Sequence, residues 1–83
     1  MADLPEGLDR DPGDATVSSR VIVQLRVHDQ TAAFARGIRV GTLKRRVYLY
    51  GSVPSEDAKR KAERVTRTVE GVGGVVNLLE VTG

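Results

Sequence analysis

Within the stretch PSEDAKRKAERVTRTVEG, Ala58, Ala62, Val65 and Val69 recur at i, i+4, i+7 and i+11, which sets a single narrow apolar stripe along a helix. Ser55 is placed as its N-cap. Glu56 and Asp57 favour the positive end of its dipole, and Gly71 supplies a left-handed stop. So narrow a stripe can bury only one side, so the helix must lie on another layer. The residues on either side of it read as strands. GIRVGTLKRRVYLYGSV contains two alternating runs joined by a basic triplet, the pattern of a hairpin. Ile38, Val40 and Thr42 share one face with Val47, Leu49 and Gly51, and Arg39, Gly41, Leu43, Tyr48 and Tyr50 share the other. After the helix, Val75, Asn77, Leu79 and Val81 lie on one face of a third strand, with Val76, Leu78 and Glu80 opposite.

The segment VSSRVIVQLRVH, Val17 to His28, satisfies two periods at once. Val21, Val23, Leu25 and Val27 alternate as a strand would, whereas Val17, Val21, Leu25 and His28 follow a helical face. A three-stranded sheet under a single helix would leave half of its inner face wet, so the segment is read as a second helix. The expected fold class is α+β: αββαβ, a three-stranded mixed sheet with two helices packed on one face.

At 83 residues there is room for one small core, and without cysteine that core depends on packing alone. Charge is uneven along the chain. Residues 1–14 hold five acids against Arg10, a balance of −4, which leaves +6 for the remainder of a chain whose net charge is +2. With Pro5, Pro12 and two glycines, residues 1–15 read as a disordered acidic tail and residues 16–83 as the folded, basic domain. MADLPEGLDRDPGDAT has neither the basic n-region nor the apolar h-region of a signal peptide, and no stretch approaches the roughly 20 apolar residues of a membrane span. The expected location is cytoplasmic, with peripheral contact to a membrane possible for a basic surface.

The ordered set Val47-x-Leu49-x-Gly51-x-Val53, an amphipathic helix, then Gly71-Val72-x-x-Val75-x-Asn77-x-Leu79-x-Val81 resembles the BON domain, named for bacterial osmotically inducible and nodulation proteins. Ile38-x-Val40 and the leading helix fit as well, so the resemblance covers about residues 16–82. It implies the αββαβ fold, with Val72 plugging the core, Gly73 and Gly74 allowing a tight return, and the Asn77 amide tying neighbouring backbone. It also implies a non-enzymatic module that associates with phospholipid or protein, in envelope or stress settings. One departure stands out: where the family usually carries glycine in the hairpin turn, this chain has Arg45. A left-handed turn costs an arginine about 1 kcal/mol or more.

Lys44, Arg45 and Arg46 make the hairpin tip the densest positive point in the chain, and with Arg39, Lys59 and Arg60 they are the candidate residues for binding an anionic phospholipid. If both helices cover the inner face, Leu43, Tyr48, Tyr50, Val76 and Leu78 point outward together. Such a patch is expected to be covered by a second copy of the chain or by another protein. A nucleic-acid partner ranks lower. GVGG at 71–74 is similar to the glycine loop of KH-type RNA binders, but that loop joins two helices, and only Tyr48, Tyr50 and Phe34 offer stacking rings. No catalytic, metal or cofactor residues are assigned: His28 is the sole histidine, placed beside Asp29 as a cap or core residue.

Overall fold

Asp11 and Pro12 begin the first helix earlier than the apolar pattern suggests. The computed structural model describes residues 4–82, and in it α1 spans Pro12–Val27. Asp11 is the N-cap, accepting from the N–H of Gly13 at 2.7 Å and of Asp14 at 3.4 Å. Pro12 takes the first helical position, where a missing N–H leaves no bond unmade. Residues 4–15 are therefore folded, not the detached tail that their composition suggests, and a domain boundary at residue 16 falls inside α1. The charge and the Pro-Gly content that read as disorder are a helix start. Met1 to Asp3, the rest of that expected tail, lie outside the described residues.

Val17, Val21 and Leu25 put the buried face of α1 against the sheet, which settles the ambiguous segment as helix. The helix ends at His28, whose N–H still donates to the Gln24 carbonyl. The buried Thr31 hydroxyl then donates to the Leu25 carbonyl at 2.7 Å. A short 3-10 turn, Ala35–Gly37, delivers the chain to β1, Ile38–Leu43.

Strand β1 pairs antiparallel with β2, Arg46–Val53, in the expected register, Val40 opposite Leu49 and Thr42 opposite Val47. Helix α2, Glu56–Arg67, starts at Ser55, whose hydroxyl accepts from the Ala58 N–H at 3.0 Å. Ala58, Ala62 and Val65 of its stripe are buried, and so is Val69 in the turn just past its end. The helix stops earlier than expected, at Thr68, which keeps right-handed backbone (φ −82°, ψ −9°); Gly71 does adopt a left-handed φ of 98°, but in the turn that follows.

The final strand is interrupted. β3, Gly74–Asn77, and β4, Glu80–Val81, both run parallel to β2 and keep one register along it, and the Leu78 N–H still donates to the Leu49 carbonyl. The break comes from Asn77. Its carboxamide oxygen accepts from the Leu79 N–H at 3.2 Å, while its amide donates to the Lys59 carbonyl at 2.9 Å and to Glu63 at 3.3 Å. The amide thus pins the strand to α2, and the apolar face ends at Leu79, which is buried, whereas Val81 is exposed.

The result is an α+β fold with both helices on one face of a mixed sheet of order β1-β2-β3, β4 prolonging the β3 edge. Val47, Leu49 and Val53 at its centre are fully enclosed between the helices.

Candidate functional site

The hairpin tip is a two-residue turn in which Lys44 and Arg45 both adopt left-handed backbone, with φ of 51° and 67°. Mirror-image turns of this kind suit the twist of a hairpin but favour Asn-Gly, and each non-glycine residue costs about 1 kcal/mol. Asp14 offsets that cost. Its carboxylate accepts from the Lys44 N–H through Oδ2 at 2.9 Å and from the Arg45 N–H through Oδ1 at 3.1 Å. Asp14 itself is buried, in the first turn of α1, so the helix start and the turn hold each other through charge-assisted hydrogen bonds.

Below this contact sits a second clasp. Asp9, with a φ of 62°, donates its N–H to the Thr42 carbonyl at 2.9 Å, and its Oδ1 accepts from the Thr42 N–H at 2.9 Å. The same carboxylate oxygen accepts a short hydrogen bond from the Ser18 hydroxyl, which lies 2.7 Å from the Thr42 hydroxyl. Three acids assigned to a tail thus bind backbone N–H groups, so their charge is partly satisfied inside the fold.

The three tip cations are exposed but not equivalent. Arg45 turns back toward the end of α2: its Nε donates to the Gly71 carbonyl at 3.3 Å and its own carbonyl accepts from the Gly73 N–H at 2.8 Å. Lys44 and Arg46 reach outward and line a cleft of about 220 Å³ with Leu43 and Tyr48. On the other side of the turn, Arg10 joins Lys44 and Arg45 around a cleft of about 470 Å³ that Asp11, Asp14, Gly7 and Leu43 also line. Arg10 was absent from the sequence-derived set because it sits among acids whose charge the backbone takes up.

The remaining candidates are elsewhere. Arg39 pairs in register with Tyr50, and Lys59 and Arg60 lie in the first turns of α2, which runs back over the sheet so that the Lys59 carbonyl meets Asn77, the partner of Leu49. Tyr50 and Leu49 lie three to four residues along β2 from Arg46, roughly 10 Å or more at about 3.3 Å each, and Arg39 is on the outer sheet face whereas Lys59 and Arg60 are on the helix layer, so these three are set apart from the tip. Along α2, Lys61 pairs with Asp57 and Arg67 with Glu63.

The outer sheet face is less open than expected. Leu43, Tyr48, Tyr50, Val76 and Leu78 do lie on it, but each is half-buried. Part of the cover comes from the chain's own start: a side chain at Gly41 would collide with Leu8, its Cβ 2.7 Å from the Leu8 Cδ1, and one at Gly7 would meet Leu43 at 3.8 Å. The most exposed large apolar side chains are on α1 instead, Val23 at 54% and Val27 at 64%. His28 caps α1 on the surface, its Nδ1 accepting from the Gln30 N–H at 3.1 Å.

Comparison with curated proteins finds no match to the chain. The family model of the BON domain, a non-catalytic binding family, matches residues 13–83, from the first turn of α1 through the interrupted last strand. The chain belongs to the BON domain family.

Proposed function

We propose that this domain is a non-enzymatic binding module that associates peripherally with anionic phospholipid surfaces through the hairpin-tip end of the molecule. The observation that carries this reading is the distribution of charge there. Lys44 and Arg46 extend from a turn whose adjacent carboxylates, Asp14 and Asp11, both accept from backbone N–H groups, and Arg10 adds a third cation beside them. Membership of a family associated with phospholipid binding and osmotic stress supports it. Among the described residues no helix is long and apolar enough to cross a membrane, so contact would be made at the surface.

Each basic residue near such a surface contributes on the order of 1 kcal/mol, so three give weak attachment unless several copies act together. The outer sheet face offers a route to that multiplicity. Tyr48, Tyr50, Val76 and Leu78 form its apolar part, and a second copy or another protein docking there would complete their burial.

The test is retention on phosphatidylglycerol vesicles against phosphatidylcholine vesicles at low salt, with sedimentation velocity of the free protein beside it. The wild type should bind only the anionic vesicles. Lys44→Ser with Arg46→Ser should abolish retention, and Tyr48→Ser with Tyr50→Ser should shift any oligomer toward monomer. Equal retention on both vesicles, or no effect of the Lys44 and Arg46 changes, would remove the lipid reading in favour of a protein-interaction module. Preferential binding to single-stranded RNA would replace it with nucleic-acid recognition.

A further inference from the structure

Strand β1 is an edge, and its free side is closed at two points and open at one. Asp9 holds both the N–H and the C=O of Thr42, which shows that Thr42 turns its backbone away from β2. Alternate residues of an antiparallel strand send their N–H and C=O to the same side, so Val40 and Ile38 also face the free edge. The Ile38 N–H is taken by the Ala35 carbonyl. The Val40 N–H and C=O are left without a partner among the described residues.

This open step borders a cleft of about 280 Å³ between β1, the 3-10 turn and the C-terminal half of α1. Ile22 and Leu25 give it an apolar wall, and Arg26, Arg36 and Arg39 surround it with no acid among its lining residues. All three arginines are exposed, and none forms an ion pair or a side-chain hydrogen bond among the described residues.

We infer that this cleft binds a short acidic peptide segment in extended conformation, added as a strand to β1 at Val40. The two requirements are independent and converge. Three exposed guanidinium groups with no carboxylate partner suit anionic groups, while a donor and acceptor left over on a strand edge suit an added backbone. A free phosphate meets only the first, and a flat membrane surface does not enter a step one residue long. A second copy does not supply the segment, since its own acidic stretch, Asp9 to Asp14, is folded into the clasp and the turn. The blocks at Thr42 and Ile38 limit the added strand to about three residues, roughly 10 Å. The residue opposite Val40 shares its face, toward α1, and so is apolar; its neighbours lie on the face of Arg39 and Tyr50 and so are acidic.

The experiment titrates isotope-labelled full-length protein with the capped peptide Glu-Asp-Val-Asp-Glu. Saturable binding should shift the Val40 amide resonance and slow its hydrogen exchange. The combined change Arg26→Ser, Arg36→Ser and Arg39→Ser should weaken binding about tenfold or more with melting unchanged, because all three side chains are exposed. The same peptide with its central amides N-methylated keeps its charge and should lose about as much affinity. An unmoved Val40 amide overturns the proposal, as does full binding by the methylated peptide or by the arginine variant. Displacement of the peptide by equimolar inorganic phosphate would assign the cleft to small anions, and displacement by phosphatidylglycerol vesicles would assign it to lipid; either also overturns it.

Discussion

The carboxylates before and within the first turn of α1 and those along α2 are the same chemical groups used in opposite ways. Asp9, Asp11 and Asp14 each accept from backbone N–H groups, and two of them join parts of the chain about thirty residues apart. Asp57 instead meets Lys61 one helical turn away, in water, and Glu63 likewise pairs with Arg67, although its other oxygen accepts from Asn77. A hydrogen bond from a backbone N–H to a carboxylate fixes both fold and charge, whereas an exposed ion pair is screened and offset by the ordering of two long side chains. The difference teaches that an acid's contribution depends on whether its partner can otherwise turn to solvent, which a count of charges does not record.

Three substitutions test this contrast, and the first sets its scale. Val65→Asp places a charge in the inner stripe of α2, where Val65 is 3% exposed, and should destabilise by more than about 4 kcal/mol, leaving no cooperative melting transition. Wild-type melting in that variant would mean that the stripe is not the core.

Asp14→Ala removes both hydrogen bonds to the turn and should cost about 2 kcal/mol in denaturant unfolding. Adding Lys44→Asn and Arg45→Gly to that variant should recover about 1 kcal/mol or more, since Asn-Gly adopts the left-handed turn without a clamp. If Asp14→Ala unfolds at the wild-type midpoint, the acids of the two helices are equally dispensable and the contrast fails.

The smallest effect belongs to Asp57→Asn. The hydrogen bond from Lys61, and then the charge of Lys61, hold the Asp57 carboxyl below its ordinary value. A carboxyl lowered on folding stabilises above its unfolded value, and that contribution fades as pH falls through the folded one. Because the group is fully exposed, the melting temperature at neutral pH should match wild type within error, and the two proteins should be indistinguishable in acid. A clear loss at neutral pH would promote the surface pair to a structural one.

Much of the fold is legible along the chain because it rests on local period and local punctuation. The stripe of α2, Ser55 and the pairing of Val40 with Leu49 are all of this kind. The head of α1 is not, because its carboxylates satisfy groups about thirty positions away and such partners leave no periodic trace. One local sign was present: Asp11 followed by Pro12, an acceptor directly before a residue suited to the first helical position. Gly41 likewise marked a close approach within a strand, although only the structure identifies Leu8 as the visitor. The break at Asn77 follows from a side chain competing with the ladder for its own neighbour's N–H. Of the candidate site, Lys44 and Arg46 were readable from adjacency in a turn. Lys59 and Arg60 were not separable from it, since sequence nearness to basic residues does not tell which end of a strand a helix returns to.

The period that makes Val17 to Val27 readable as either helix or strand also bears on how the chain is made. Emerging from a ribosome, α1 appears well before its covering strands. A 16-residue helix with Val17, Val21, Ile22, Val23 and Val27 among its members is marginal in isolation. Until Arg46–Val53 has followed it out, that nascent segment is free to pair as an extended strand with whatever edge it meets. The Asp11 cap is a helix-directing contact already complete at that stage, formed within three residues of itself. It biases the waiting segment toward its final form before any sheet exists to hold it there.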